Sequence, residues 1–374
     1  MKQYFNDSQN KYNKKLIIMS IIPITIIAKI LQFTVLPDKY FWDSARINSM
    51  VTGSGLMQEW EGSYRVTSTV FKKINIFGFT KLEDWAIFLA TIFGILLVLM
   101  LSRPRELDII QTMFVVASVG LLNIYIFNIS KDIIQYCIFM LIYLVLLMDF
   151  LNPIIKIILT FFIFYWESTF FRSYYLIIGV LAVVLYFVFS IRAKKDKKVT
   201  VGTVLSIIAI AFATLYIFLF VASFIMPSEY NEVIYVRQSN LNDIAVSQIE
   251  NVFPIDGTLN NFMLNYIINA VRMMIPVELI RNGVFYLPFV VYQIFILFYL
   301  VKTIKGLKRE MSETVIIALS VFTAYLLGSF IFEPDFGSFV RHEAATFPVL
   351  HLMVLDKCNI IKGEKDIKEA VEVE

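Results

Sequence analysis

The chain has 374 residues, of which 58% are hydrophobic and only 17% are charged. Soluble domains are roughly 45–50% apolar and about 25% charged, so the composition excludes an ordinary soluble protein. Runs of about 20 apolar residues recur along nearly the whole chain, a pattern typical of transmembrane helices. We therefore predict an all-α, polytopic helical membrane protein with no nucleic-acid partner. The net charge of +3 identifies no particular ligand.

Ten spans are predicted in chain order, at about 16–36, 85–101, 109–129, 133–148, 154–166, 174–191, 199–226, 284–301, 314–332 and 344–355. The fifth and tenth are short, which makes them candidates for tilted, broken or re-entrant segments, and Pro153 and Pro348 fit that interpretation. The apolar segment 260–280 is interrupted by Arg272 and Glu278. It is predicted to be an interfacial or partly inserted amphipathic helix that ends near Pro276.

The basic residues predict the orientation of the spans. With both termini in the cytoplasm of a multi-pass cell-membrane protein, 20 of the 33 basic residues lie inside, and 16 of these 20 are Lys. The outer side holds 12, of which 7 are Arg, the side chain suited to a two-pronged grip on phosphate or carboxylate. Lys29 lies within the first span and is expected to snorkel towards the interface.

The long connections all fall on the predicted outer side. Residues 1–374 are expected to form a single integral membrane domain, with outer loops at about 37–84 and 227–283 and a cytoplasmic tail at about 357–374. The inner loops are short. Since the extra sequence lies outside, we expect the protein to work at the outer membrane face.

Motifs for several common chemistries are absent from the sequence. It has no GxxxxGK[ST], HExxH, CxxC, GxSxG or Rossmann glycine pattern. ATP-driven transport, zinc proteolysis and serine hydrolysis therefore lack support. The two cysteines, Cys137 and Cys358, lie far apart and indicate neither a disulfide framework nor a metal site. We expect no cofactor and no metal.

Charged residues instead gather in five short outer segments, at a depth where a charge is costly unless it is paired or faces a wet cavity. We expect these segments to share a polar cavity near the outer interface. The candidate catalytic residues are His342, Arg341 and Asp43. The candidate substrate-binding residues are Arg46, Lys131, Asp132, Glu167, Arg172, Arg237, Arg272, Arg281 and Asp335.

A structural role competes with function for most of these residues. Lys131 with Asp132, and Glu167 with Arg172, are equally well explained as ion pairs at helix ends. Asp43 and Arg46 are three positions apart and would share one helix face.

The same alternative applies to the remaining candidates. Arg272 and Arg281 fit an interfacial helix anchored to lipid headgroups. His351, within the last span, is expected to be a packed polar residue. Arg341 and His342, adjacent to each other and close to acids, are the least easily explained by structure alone.

A diphosphate lipid headgroup is a substrate to which these candidate residues are suited. Several guanidinium groups can bind and stabilise its charge, and its tail can stay in the bilayer. If a sugar is transferred, the acceptor hydroxyl needs a general base, for which His342 or a nearby carboxylate is chemically suitable.

The chain resembles the Wzy-type polymerases of capsule, exopolysaccharide and O-antigen repeat units. The likeness covers most of the chain: about ten spans, two enlarged outer loops and Arg-bearing outer segments, including "KYFWDSARI", "SKDIIQ", "FFRSYYL" and "EPDFGSFVRH". The resemblance implies polymerisation of oligosaccharides linked to undecaprenyl pyrophosphate, without a metal, and a flippase and a chain-length regulator as candidate partners. It points to Arg46, Arg172, Arg237 and Arg341, with His342 as base. The chain lacks the repeated Arg motif of several relatives.

Three other functions stay open. A multi-span glycosyltransferase with a polyprenyl-phosphate sugar donor would place acids in the first outer loop, where Asp38 and Asp43 lie. A transporter or flippase for a lipid-linked glycan would show repeated halves, and no internal repeat is visible. A membrane acyltransferase would need a catalytic histidine on a span, and only His351 qualifies.

Overall fold

A computed structural model describes residues 2–103, 107–195, 199–239, 247–308 and 311–355. Within these ranges the regular structure is helical, and a single isolated β-bridge joins Gln248 to Asp335. The predicted cytoplasmic tail at 357–374 lies outside the described residues.

Fifteen α-helices are present in the described ranges. They are α1 (Lys2–Thr34), α2 (Trp42–Thr52), α3 (Ser63–Ile74), α4 (Leu82–Ser102), α5 (Ile109–Leu121), α6 (Lys131–Leu146), α7 (Pro153–Phe170), α8 (Tyr175–Lys194), α9 (Val201–Ile225), α10 (Pro227–Ser239), α11 (Leu259–Met274), α12 (Leu287–Lys305), α13 (Glu313–Phe332), α14 (Phe336–Ala344) and α15 (Phe347–Leu355). A π-helical turn, Leu122–Ile126, continues α5, and a 3-10 helix, Val277–Asn282, follows α11.

Eight helices in the described ranges are long and apolar enough to cross a membrane, which confirms an all-α polytopic architecture. They are α1 from Tyr12, α4, α5 with its π turn, α7, α8, α9, α12 and α13. Two of the ten predicted spans form shorter helices: α6 has 16 residues, and α15 has nine within the described range. Which ends of the helices face the cytoplasm stays a prediction.

The fifth predicted span is an unbroken helix, so the broken alternative was wrong, while a tilted or re-entrant arrangement stays a prediction. α7 runs for 18 residues from Pro153 to Phe170. Pro153 stands at the first helical position, where its missing N–H costs nothing and its fixed φ favours helix initiation. Proline here begins a span and does not interrupt one.

The two predicted outer loops are largely helical. Residues 37–84 contain α2 and α3, and α2 ends at Gly53, whose left-handed φ of 65° terminates the helix. Residues 227–283 contain α10 and α11. α11 ends at Met274, two residues before Pro276 and so near it, as predicted. Leu264, Ile267 and Val271 on one of its faces are exposed. That apolar face fits an interfacial helix.

The described residues form two compact units. One unit consists of residues 2–144, 166–173 and 344–355. The other consists of residues 145–165 and 174–343, as far as these are described. We refer to them as the first and second unit. The expectation of a single integral membrane domain stays a prediction.

In the first unit, α1 packs against α4 and α5. A capping box in which Asp108 and Gln111 bond each other's backbone N–H groups starts α5. α15 lies against α5, where the Gln111 amide donates to the Val354 carbonyl over 3.0 Å. His351 in α15 is 1% exposed and lies against the Tyr143 and Phe347 rings, which confirms it as a packed polar residue.

Lys29 does not snorkel, and that prediction was wrong. Its side chain is 9% exposed within the first unit, and its ammonium donates to oxygens of Gln32, Asn123, Phe127 and Asn128. Internal acceptors replace the water that a snorkelling lysine would seek.

In the second unit, α13 is the central helix and packs along α8. Most of its side chains are buried, from Val315 to Phe332. The close approach depends on Gly328, because a Cβ placed there would lie 2.5 Å from the Ile178 side chain. α13 ends at Glu333, whose backbone N–H bonds to the Ser329 carbonyl, and α14 follows after Asp335.

Candidate functional site

Three of the five predicted outer segments meet in the first unit. We call Asp43, Arg46, Lys131, Asp132 and Arg172 the cationic cluster. Lys131, at the start of α6, places its ammonium 3.3 Å from Asp43 Oδ2 and 3.0 Å from the Tyr64 hydroxyl oxygen. The Tyr64 hydroxyl lies 2.6 Å from Asp43 Oδ1. Both carboxylate oxygens of Asp43 are therefore engaged.

Arg46, one turn along α2 from Asp43, has donor capacity to spare. Its guanidinium lies 3.2 Å from the centre of the Trp60 ring, a cation–π contact. Its Nε and Nη1 atoms are buried and have no hydrogen-bond partner among the described residues. A guanidinium supported from one side, with unused N–H groups, is suited to bind an anion.

Arg172 and Glu167 complete this region of the first unit. Arg172 Nη2 lies 4.0 Å from Asp132 Oδ1, a long ion pair whose side chains are 10% and 3% exposed. Glu167 is fully buried, and the side-chain amide of Gln135 is its hydrogen-bonding neighbour. A buried carboxylate of this kind is costly unless a positive charge is close, and Arg172 is the cation that acts on it electrostatically.

Lys131 forms an ion pair with Asp43 of α2, and Asp132 forms one with Arg172. A pairing of Lys131 with Asp132, the structural alternative considered from the sequence, is therefore not needed to explain either charge. Neighbouring residues at a helix start point in different directions and reach different partners. These pairings were not visible in the sequence, since each joins residues at least 40 positions apart.

The other two predicted segments lie in the second unit. His342 Nδ1, on α14, is 2.7 Å from Glu333 Oε1, at the end of α13. The two residues are 8% and 4% exposed. A carboxylate that accepts from Nδ1–H fixes the tautomer in which Nε2 is the basic nitrogen. This arrangement is the carboxylate–imidazole pair of a general base.

Asp335 has a clear structural role. Its carboxylate accepts from the backbone N–H and the hydroxyl of Ser338, both over 2.9 Å, and so caps α14. The backbone around it is held to the segment that precedes α11: Ile249 N donates to Pro334 O and Phe336 N donates to Ser247 O, both over 3.0 Å. Asp335 thereby helps to position His342, while a direct contact with substrate stays a prediction.

Arg237, on α10, is the most buried arginine among the predicted site residues. It is 5% exposed, and Nη2 donates to the Ile249 carbonyl over 3.1 Å. Its Nε and Nη1 atoms have no hydrogen-bond partner within the described ranges. Burial and the nearby charge of Arg272 together lower the pKa of Arg237 to about 10, against the opposing effect of Glu333 and Asp335. The guanidinium thus lies within electrostatic reach of the Glu333–His342 pair.

Two cavities of the second unit share Asn251, and Arg237 lines one of them. One, of about 20 Å³, is lined by Arg237 and three asparagines, Asn251, Asn265 and Asn269. It is large enough for one water molecule. The other is an open groove of about 680 Å³ lined by Tyr235, Gln238, Gln248, Glu250, Asn251, Phe253 and Ile255. Amide and aromatic side chains of this kind suit a ligand with many hydroxyl groups.

Arg272 and Arg281 are arranged differently from Arg237. Arg272 Nη2 lies 2.6 Å from Glu278 Oε2, Nε binds the other carboxylate oxygen, and Nη1 donates to the Glu250 carbonyl over 2.7 Å. Those hydrogen bonds lower the pKa of Glu278. Arg281 is exposed on the following 3-10 helix. Arg272 holds the segment before α11, and headgroup anchoring or substrate binding by either arginine stays a prediction.

Sequence reasoning missed three residues that matter to this geometry. Trp60 and Tyr64 support Arg46 and Lys131, and no motif marks them, because an aromatic residue before or within a helix is common. Glu333 is one of the acids close to Arg341 and His342 in the sequence, but the sequence does not identify it as the partner of His342. The nine-residue separation of Glu333 and His342 reveals nothing until the chain turns between α13 and α14.

The predicted site residues thus form two groups, one in each unit, and the expectation of one shared cavity stays a prediction. Comparison of the chain with protein-family models, with curated proteins and with solved structures finds no match.

Proposed function

We propose that this protein is a membrane-embedded transferase that polymerises glycan repeat units carried on a lipid diphosphate. One observation carries the proposal: Ile249 links the buried Glu333–His342 pair to Arg237, a buried guanidinium with two unpartnered nitrogens among the described residues. The Ile249 carbonyl accepts from Arg237, and the Ile249 N–H donates to the carbonyl of Pro334, the residue after Glu333. A base for an acceptor hydroxyl and a cation for a departing diphosphate are the two groups that this transfer needs.

The transfer proceeds without a redox change. His342 Nε2 takes the proton of the acceptor sugar hydroxyl as its oxygen forms a bond to the anomeric carbon of the donor glycan. The bond between that carbon and the diphosphate oxygen breaks, and the lipid diphosphate leaves with the electron pair. Glu333 stabilises the imidazolium. Arg237 and Arg341, the residue before His342, stabilise the leaving group.

The cationic cluster of the first unit supports the same substrate class. Polymerisation uses two lipid-diphosphate glycans, a donor and an acceptor. Arg46 offers buried N–H groups on a tryptophan surface, and Lys131 and Arg172 add positive charge. We assign this cluster to a second diphosphate headgroup. Asp43, held by Lys131 and Tyr64, then keeps Lys131 in place and is not the base.

The experiment is deletion of the gene, complementation with variants, and analysis of lipid-linked glycans. Complete single repeat units that accumulate outside the membrane support a polymerase. Incomplete units would indicate a glycosyltransferase that builds the unit, and complete units trapped inside would indicate a flippase; either result contradicts the proposal.

Glu333→Gln tests the residues. It keeps the volume and removes the charge that stabilises the imidazolium, so the polymerisation rate should fall by about 100-fold to 10,000-fold at equal protein level. Glu313→Gln is the matched control: it lies in the first turn of the same helix, where it accepts from the Tyr186 hydroxyl over 3.3 Å. It should leave the polymer unchanged. Normal polymer in Glu333→Gln would contradict the role of the pair.

A further inference from the structure

Lys29 lies in the last third of the apolar α1 span, Tyr12–Thr34, and is surrounded by oxygens. Its ammonium nitrogen is 3.0 Å from Gln32 Oε1, 2.6 Å from Asn123 O, 2.9 Å from Phe127 O and 3.1 Å from Asn128 Oδ1. All belong to the first unit. The ammonium has only three N–H donors, and four oxygens surround it. The four oxygens are therefore arranged around the positive charge as in a cation-binding site.

The oxygens come together because α5 widens into a π-helical turn. The backbone N–H of Phe127 donates to Leu122 O, five residues back, over 2.8 Å. The side-chain amide of Asn128 donates to Ile124 O over 2.7 Å. Gln32 Nε2 donates to Asn128 Oδ1 over 2.8 Å, which ties α1 to the same turn. Within hydrocarbon such backbone carbonyls need a donor from the protein, and π turns of this kind are frequent at functional sites.

The π turn leads directly into the cationic cluster. Residues 127–130 connect it to α6, which begins with Lys131 and Asp132. Lys131 contacts Asp43 and Tyr64, and Asp132 contacts Arg172. The direction in which these side chains leave the chain therefore depends on the position of the turn.

We propose that Lys29 is the built-in occupant of an oxygen-lined cation site, and that it holds the π turn in the conformation that positions Lys131 and Asp132 in the cationic cluster. Lys29 is a positioning residue and contacts no substrate. The assignment of the cluster to a diphosphate rests on the proposed function; the cation site does not. An ammonium suits the site better than an uncharged side chain because buried carbonyl oxygens without donors are costly.

Chemical rescue tests the site on the full-length protein purified in detergent. Lys29→Ala removes three carbons and the nitrogen, and n-propylammonium supplies those atoms. We expect amide hydrogen exchange at residues 127–133 to accelerate by about tenfold or more in Lys29→Ala, and propylammonium to restore most of the protection. n-Propanol, which has similar size and no charge, should restore none.

Lys14→Ala is the matched control. Lys14 is on the same helix and also donates to a backbone carbonyl, Ser102 O, over 2.6 Å, but it is exposed. Its replacement should leave exchange at residues 127–133 unchanged, with or without the amine. Equal effects of the two variants, or equal rescue by propanol, would overturn the cation site.

A second variant covers failure of Lys29→Ala to fold. Gln32→Leu keeps Lys29 and removes one cage oxygen and the bond to Asn128. It should accelerate exchange at residues 127–133 by a smaller factor, and unchanged exchange would overturn the proposal. Hydrogen exchange needs no transferase activity. The proposal for Lys29 and the proposed polymerase function are therefore tested separately, and either one can fail while the other is supported.

Discussion

The contact between Asp43 and Lys131 gives the most direct test of the cationic cluster. We consider three variants: Asp43→Asn, Lys131→Met and the double variant. A double-mutant cycle isolates the interaction from the separate effects of each change. The Tyr64 hydroxyl, which contacts both groups, is retained in all three variants.

The expected magnitude follows from distance and burial. The charged atoms are 3.3 Å apart, and the side chains of Lys131 and Asp43 are 13% and 27% exposed. At an effective dielectric constant of about 20, two charges at this distance attract by about 5 kcal/mol. Desolvation of both groups and loss of side-chain freedom offset most of this attraction. We expect a coupling free energy of about 1–2 kcal/mol.

The assay is equilibrium unfolding of the purified proteins in detergent, followed by far-ultraviolet circular dichroism. Arg65 and Glu61 provide the control cycle, because their charged atoms are similarly close, at 3.1 Å, but their side chains are 71% and 81% exposed. An exposed pair four residues apart contributes about 0.3–0.5 kcal/mol. Raising the salt concentration to about 1 M should remove that coupling and leave most of the coupling between Asp43 and Lys131.

Equal coupling in the two cycles would refute the reasoning. It would mean that Asp43 and Lys131 are solvated in the folded protein. The cationic cluster would then be an ordinary solvated surface, and it would lack the partly buried, preorganised charges that anion binding requires.

Two further predictions concern the second unit. Gly328→Ala should lower the free energy of unfolding by about 1–3 kcal/mol, because its Cβ would lie 2.5 Å from the Ile178 side chain. The control in the unfolding measurements is Gly120→Ala, whose Cβ would meet nothing within 4 Å. Equal effects of the two substitutions would contradict the close packing at Gly328. Burial raises the pKa of Glu343 to about 8, although the amide of Gln293 opposes this. The folded-state pKa lies above the unfolded value, so the contribution of Glu343 to stability is complete below about pH 4.5 and is lost as pH rises through 8. Glu343→Gln should therefore raise the unfolding midpoint at pH 9 relative to the parent and change it little at pH 5; an identical pH dependence in the two proteins would contradict the burial of a neutral carboxyl group.

Membrane-spanning character was the part of the fold most readily predicted, and the reason is local. Each span must satisfy its own backbone hydrogen bonds and present apolar side chains to lipid, so each can be recognised in isolation. Proline was harder to interpret. The same residue that breaks a helix interior initiates a helix at its first position, and Pro153 does the latter.

The sequence shows which residues are charged, but it does not show which residues they bind as ion-pair or hydrogen-bond partners. An ion pair of Lys131 with its neighbour Asp132 was one of two explanations left open, and Lys29 was expected to snorkel towards the interface. Both lysines instead contact residues that the chain brings back from a distance: Asp43 in one case, and the π turn at Asn123 in the other. A charge in an apolar segment predicts that some compensation exists, and it does not predict where the compensating atoms lie.

The sequence by itself determined that this is an all-α membrane protein with many long apolar segments, two long connections between them and arginine concentrated in particular segments between spans. Those properties follow from composition and order along the chain. Only the tertiary structure decided that Glu333 holds His342, that Arg237 is buried with unused donors, and that Lys29 fills a cage of oxygens. The physical reason is that a hydrogen bond requires a distance of about 3 Å and a direction, and helices that are far apart in sequence supply both only when they pack.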